Sequence, residues 1–207
     1  MTLTLHCAPR TCALASLIAL EDAGADYQLA RVDFGSGEQR SPKYLSVNPK
    51  GRVPALVTQR GVLTETPAIL AFIAQSWPDA RLAPLDDPFA FARVQAFNSY
   101  LCSTVHVAHA HRHRGARWAD EPASFADMTR RVTANMAQCF ELIETKMFAG
   151  PWAMGADYSV ADAYLFTVSV WLSGDGVDIA RFPRVAEFAE RMKRRDSVKR
   201  AFEKEAA

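Results

Sequence analysis

Charge of one sign is what this sequence lacks most plainly. Lys and Arg together number 24, Asp and Glu 23, and the net charge at neutral pH is +1. A chain so balanced has no general basic surface for nucleic acid and no electrostatic grip on an acidic membrane. No apolar run approaches the roughly 20 residues that a membrane-spanning helix needs. The first residues, 1 to 7, go straight into a strand pattern, with no basic stretch leading into an apolar one, so no secretory leader is expected. The four cysteines, at positions 7, 12, 102 and 139, form neither a Cys-x-x-Cys pair nor a metal-finger spacing. A reduced, cytoplasmic protein with free thiols is therefore expected. Internal repeats and low-complexity segments are absent as well.

What is present is ample core material. Hydrophobic residues make up 49% of the 207, enough for one large or two small globular domains. Leu3-Thr4-Leu5 alternates as a strand, and a helix starts near Thr11 and runs to Ala23-Gly24. Within it Leu14, Leu17, Ile18 and Ala19 form an apolar face, and Gly24 suits the C-cap. A second strand covers residues 27–32, and Ser41-Pro42 opens a short helix. Residues 77–88 hold three prolines among acidic residues, the clearest break in composition and the expected linker. Strand alternation does not recur after it. Helical patterns run from 89 to about 114, from Pro122 to near Gly150-Pro151, behind Ser159-Val160-Ala161-Asp162, and from Phe182-Pro183 onward. The Ser-x-x-Asp stretch reads as a capping box with Asp in place of the usual Glu. The helix behind it is apolar on most sides, as a buried central helix would be.

Residues 47–69 concentrate the most local signals. Asn48-Pro49-Lys50-Gly51 is a turn, and Val53-Pro54-Ala55-Leu56 begins a strand at a proline. Gln59-Arg60-Gly61 turns again, and Thr64-Glu65-Thr66-Pro67 looks like a helix start. A proline opening a strand cannot donate a ladder hydrogen bond. Read locally, Pro54 is an ordinary trans residue at an edge, and Glu65 an acid compensating a helix dipole.

In this order and at these separations, three pieces resemble the glutathione transferase family over essentially the whole chain: the Asn48–Leu56 stretch, Thr64-Glu65-Thr66, and the 155–162 stretch ending in the Ser159–Asp162 box. The resemblance implies an α/β thioredoxin-like N-terminal domain (1–77), a linker (78–88) and an all-α helical-bundle C-terminal domain (89–207) that contributes the co-substrate site. It implies a cis bond at Val53-Pro54 and a cytoplasmic homodimer. It also implies glutathione as co-substrate, conjugated to a small, largely apolar electrophile in a detoxifying role. Glu65 would meet the ammonium of the γ-glutamyl end, while the Thr66 hydroxyl and helix N–H groups meet its carboxylate. The Val53 backbone, next to Pro54, would pair with the cysteinyl part in a strand-like way, with Arg52 completing the polar cage.

Cys12 falls where bacterial beta-class members carry their active-site cysteine. A thiol in a first helical turn, two residues after Arg10, is expected to have its pKa lowered from about 8.5 into the range of about 3.5–7.5. It would form a mixed disulfide with glutathione or steady a bound thiolate, unless it is merely a small buried filler. Thr11 offers a hydroxyl at the position where related classes bond the glutathione sulfur, and no tyrosine stands in the first strand or loop. Asn98 and His106 match a beta-class asparagine near the site and a histidine facing the sulfur. The beta-class lysine after that histidine is Val107 here, and the acid two residues before it is Thr104. Thiol–disulfide exchange through Cys12, or non-catalytic binding of ligands or proteins, are the alternative functions. His106, His109, His111 and His113 share one stretch, but no carboxylate or thiol joins them in sequence and Arg112 and Arg114 lie alongside. A solvated or site-rim basic cluster is expected there, with His106 the exception, and no metal.

Overall fold

The structure is a computed structural model that describes residues 3–206; Met1 and Thr2, at the start of the expected strand pattern, lie outside them. Strand β1 (Leu3–Cys7) leads to helix α1 (Ala13–Asp22), then β2 (Tyr27–Arg31) and a short helix α2 (Pro42–Leu45) capped by the Ser41 hydroxyl. A hairpin of β3 (Ala55–Thr58) and β4 (Gly61–Thr64) follows, and then helix α3 (Thr66–Ser76). The four strands stand in the order β2-β1-β3-β4, with β1 parallel to β2 and antiparallel to β3. This is a thioredoxin-like arrangement: a βαβ unit, in which Leu5 lies opposite Leu29, joined to a hairpin, in which Leu56 lies opposite Leu63. Helix α1 ends as the sequence suggests. Gly24 takes φ +61, and the following Ala25 N–H returns to the Leu20 carbonyl.

The remainder is helical. Helix α4 (Pro88–Tyr100) is capped by Asp87, whose carboxylate accepts from the Phe89 and Ala90 N–H groups at 2.9 and 3.0 Å. The helix expected to continue unbroken to about 114 does not. A π-helical turn (Leu101–Val105) intervenes before α5 (His106–Ala110), and short turns carry the chain to Arg117. A π turn takes in an extra residue and shifts the side-chain period, which sequence spacing at 3.6 cannot reveal. Helix α6 (Pro122–Leu142) likewise ends in a π turn (Ile143–Met147), short of Gly150-Pro151. Helices α7 (Val160–Ser169), α8 (Pro183–Lys193) and α9 (Asp196–Ala206) complete the chain, so the last expected helical stretch is two helices broken at Arg194-Arg195. Glu144, in the second π turn, caps α8 by accepting from the Arg184 and Val185 N–H groups at 3.0 Å each. Among the described residues no helix is long and apolar enough to cross a membrane.

One core runs through both regions. Leu17, Ile18 and Leu20 of α1 join Ile69 and Leu70 of α3, Val94 and Phe97 of α4, and Leu165 and Phe166 of α7. Helix α7 is buried at every residue, which accounts for its nearly all-round apolar sequence. Its capping box is real and carries an added role. Asp162 accepts from Ser159 N–H at 2.7 Å and from Ala153 N–H at 2.6 Å, so it ties the preceding loop to the helix start. Replacing Asp162 by Ala strands two buried N–H donors, at about 1–3 kcal/mol each. Together that is about 2–6 kcal/mol, which for a chain of this size lowers Tm by about 4–24 °C. Thermal unfolding followed by circular dichroism checks it, and a shift below about 2 °C would contradict this role.

Candidate active site

A cavity of about 380 Å³ opens between the end of the thioredoxin-like sheet and the helical region, lined from both. Its sheet-side wall begins where Arg10, at φ +60, turns the chain toward α1. Thr11 follows. Its hydroxyl donates to the Ala8 carbonyl at 2.7 Å and accepts from Ala13 N–H at 3.3 Å, so it serves as the cap that α1 otherwise lacks. Cys12 is 6% exposed, and its Sγ donates to the Val53 carbonyl at 3.5 Å.

This burial overturns the expectation of an acidic Cys12. Desolvation pushes the thiol up to about 11, and the Thr66 hydroxyl beside it offsets only part of that. The helix start does not rescue the thiolate because the side chain turns inward, toward Val53 and the neighbouring Cys102 and Glu65. At neutral pH such a thiol stays protonated. Cys7 packs with Ala13, Val32, Tyr44 and Val53, and burial raises its thiol to about 11 as well.

The loop before β3 is braced from α2. Tyr44 Oη donates to the Arg52 carbonyl at 2.7 Å, and Asn48 Nδ2 donates to the same oxygen at 2.6 Å. Gly51 sits at φ +61, where an added Cβ would lie 2.9 Å from the Gln39 carbonyl oxygen, so the turn requires glycine. Val53-Pro54 is cis, as is Gly150-Pro151. Among the described residues the Val53 N–H has no hydrogen-bond partner, and Arg52, Val53 and Pro54 all line the cavity.

At the start of α3, Glu65 adopts φ +72, a left-handed region costly for a residue with a Cβ. Its carboxylate pairs with Lys50, which also donates to the Thr64 hydroxyl at 2.7 Å. Thr66 is buried beside Cys12, and Glu65 and Thr66 both line the cavity.

The opposite wall comes from the π turn, α5 and α7. His106 faces the cavity and lies edge-on to Trp171 at 5.0 Å. Burial, and then the positive charge of His109, Arg117, Arg114 and Arg52, pushes its imidazole down to about 4. Asn98 does not belong here. It has no exposed surface, neither of its amide atoms has a partner among the described residues, and it does not line the cavity. In this conformation it cannot touch a ligand there, which corrects the expected glutathione contact. It lies one helical turn before Cys102, on the buried side of α4.

Several lining residues were not legible as such. Tyr164 and Trp171 reach the cavity from α7 and the turn after it. The sequence places His109 in a solvated or site-rim basic cluster. Its Nδ1 instead meets the buried Asp175 carboxylate at 2.7 Å, and its ring stacks on Trp171 at 4.3 Å. The two partners are 66 residues apart, and no local signal links them. His111 packs on Trp118, and Trp118 lines the cavity. Among the described residues, no group of three His, Cys, Asp or Glu side chains converges as a metal site would.

The geometry has close counterparts. The family model for the glutathione S-transferase N-terminal domain matches residues 1–75. A glutathione transferase homologue from Sulfitobacter, solved with bound glutathione, superimposes with a TM-score of 0.96 at 47% identity, covering 98% of each chain. The beta-class glutathione S-transferase of Sphingomonas chungbukensis gives 0.86 at 30% identity, again over 98% of each chain. Glutathione S-transferase GstA of Escherichia coli O157:H7 is 31% identical over 200 residues, 95% of this chain and 96% of its own length. The chain belongs to the glutathione S-transferase family.

The low pKa of His106 has a direct consequence for stability. Between about pH 6.5 and 4 the unfolded chain takes up a proton at this position and the native state does not. The stability from burying the neutral ring is therefore fully present above that window and is lost as pH falls through it. Comparing Tm against pH for the native chain and His106→Gln should show the steeper acid-side loss in the native chain. Parallel curves would contradict the depressed pKa.

Proposed function

We propose that the protein is a glutathione transferase that steadies the glutathione thiolate and adds it to a small electrophile. One observation carries this reading. Thr11, Cys12, Val53 beside cis-Pro54, the Glu65-Thr66 helix start and His106 come from four separate chain segments and meet at a single cavity. Glu65 receives the γ-glutamyl ammonium, exchanging Lys50 for it, and Thr66 with the first α3 N–H groups receives the carboxylate. The open Val53 N–H pairs with the cysteinyl carbonyl, and Arg52 reaches the glycyl end. Residues 1–77 thus hold glutathione, and 89–207 supply the co-substrate side.

At the sulfur, the catalytic task is to favour the thiolate, because the thiolate is the nucleophile. Two groups there are neutral at pH 7. His106, with its low pKa, is too weak a base to keep the thiol's proton and instead offers a ring N–H toward the developing charge. Thr11 is the more exposed of the pair in the loop, and its hydroxyl turns from the Ala8 carbonyl to the sulfur. Cys12 stays protonated, bonded to the Val53 carbonyl. Thiol–disulfide exchange needs Cys12 as a thiolate, so its raised pKa favours conjugation over the redox alternative. Family membership supports a homodimer with a detoxifying role, and the free cysteines support a reducing, cytoplasmic setting.

Conjugation of 1-chloro-2,4-dinitrobenzene tests the assignment at the sulfur. Thr11→Ala should lower kcat/KM by about 10–100-fold, the loss of one hydrogen bond to a charge, and Cys12→Ala should cost less. The redox reading takes over if Cys12→Ala is the more damaging and mass spectrometry finds a glutathione adduct on Cys12 alone. Binding is tested separately. Glu65→Gln should weaken glutathione by at least about tenfold. It should move Tm by no more than about 4 °C, since the exposed pair with Lys50 is worth about 0–1 kcal/mol. Glutathione that binds without any conjugation would favour the non-catalytic alternative.

A further inference from the structure

We propose that the electrophile accepted by this protein carries a carboxylate or comparable anion, held by Arg114 and Arg117 at the aromatic end of the cavity. This rests on the transferase reading above and adds the chemical class of the second substrate.

The charge distribution carries the argument. The chain as a whole is nearly neutral at +1. Yet four arginines, Arg10, Arg52, Arg114 and Arg117, line this one cavity, and the single carboxylate lining it, Glu65, is already paired with Lys50. Some arginines elsewhere are paired with acids. Arg112 meets Asp175, Arg195 meets Asp22, Arg200 meets Glu21 and Arg191 meets Glu187. Among the described residues none of the four cavity arginines has such a partner. Partial burial, followed by repulsion from Arg52, Arg114 and Arg40, brings Arg117 down to about 10. It remains charged, and it sits in a net positive field. An arriving anion relieves it.

Glutathione does not use up this charge in the proposed pose. Its γ-glutamyl carboxylate goes to the α3 start, its glycyl carboxylate to Arg52, and its sulfur to Thr11 and His106. Arg114 and Arg117 come from the segment after α5 and have no glutathione group assigned to them. Arg114 is steadied over the Phe34 ring at 5.6 Å, and Trp118 follows Arg117 directly. Phe34, Trp118 and Trp171 line the same cavity and provide flat apolar surface. Two guanidinium forks beside aromatic faces fit a planar apolar body ending in a carboxylate, which an arginine can engage through two parallel hydrogen bonds.

The same arginines would act differently if they served only to favour the thiolate, and a binding experiment separates the two roles. The full-length protein is saturated with S-methylglutathione, which has no thiol to ionise. It is then titrated calorimetrically with 4-nitrobenzoate and with 4-nitrobenzamide, a neutral molecule of nearly the same shape. The benzoate is expected to bind at least roughly tenfold tighter, the worth of one good charge-assisted pair. That ratio should shrink at 0.5 M salt, as a solvent-accessible ion pair requires, and fall toward one in Arg114→Gln and Arg117→Gln. Arg117→Lys should keep part of it. Equal affinities, failure of both probes to bind, or a preference that survives both glutamine variants would overturn the inference while leaving the transferase reading intact. If S-methylglutathione itself does not bind, the transferase reading fails and this inference falls with it.

Discussion

Helix α1 has no solvent face across its first eight residues, and the rest of the molecule is arranged around that constraint. Ala13 through Leu20 are all buried. Strand β1 and helix α3 pack against α1 from the thioredoxin-like region, and α7 and α9 from the helical region. Each of Leu14, Leu17, Ile18 and Leu20 contributes about 1.5–3 kcal/mol on leaving water, and neither region can supply the cover alone. The two regions therefore share a core rather than merely touching. The start of α1, with Thr11 and Cys12, is held in place by packing on every side.

Its other end is fixed by charge. Asp22 accepts from Tyr158 Oη at 2.5 Å and from Arg195 at 2.7 Å, while Glu21 meets Arg200 and Lys204 of α9. Arg195 also lies over the Tyr158 ring at 3.7 Å. Both carboxylates are largely buried, so these pairs are screened less than the exposed ion pairs on α8 and at the start of α9. With one end locked to α9 and the other opening on the cavity, α1 transmits the placement of the helical region to the residues that face the ligand. Burial there also sets the chemistry: it raises Cys12 and lowers His106, leaving two neutral groups among several fixed positive ones.

Much of the fold was readable in the sequence. The strands, the Gly24 stop, the Ser41-Pro42 start, the hairpin and the Ser159–Asp162 box are local events, each encoded within a few residues by propensity, turn chemistry or capping. The π turn at Leu101–Val105 was not, because nothing in its residues distinguishes it from α-helix, and it decides which side of α5 meets the cavity. The site was legible in part. Thr11, Cys12, Arg52, Val53, Pro54, Glu65, Thr66 and His106 do line one cavity. Asn98 does not, because the face of α4 on which it sits turns into the core.

The sequence by itself determined where the chain turns, caps and changes from mixed to helical structure, because those are decided over distances of a few residues. It also determined, through the order of its motifs, to which family the chain belongs. Tertiary structure alone decided the electrical state of the site. Whether a thiol near a helix start is acidic depends on which way it turns and what buries it. Whether a histidine is charged depends first on how deeply the fold buries it and then on the cations brought around it. His109 meets Asp175, and Arg52 meets the field of Arg114 and Arg117, only after folding has brought them together. Desolvation and Coulomb energy depend on position in space, and sequence distance carries no information about either.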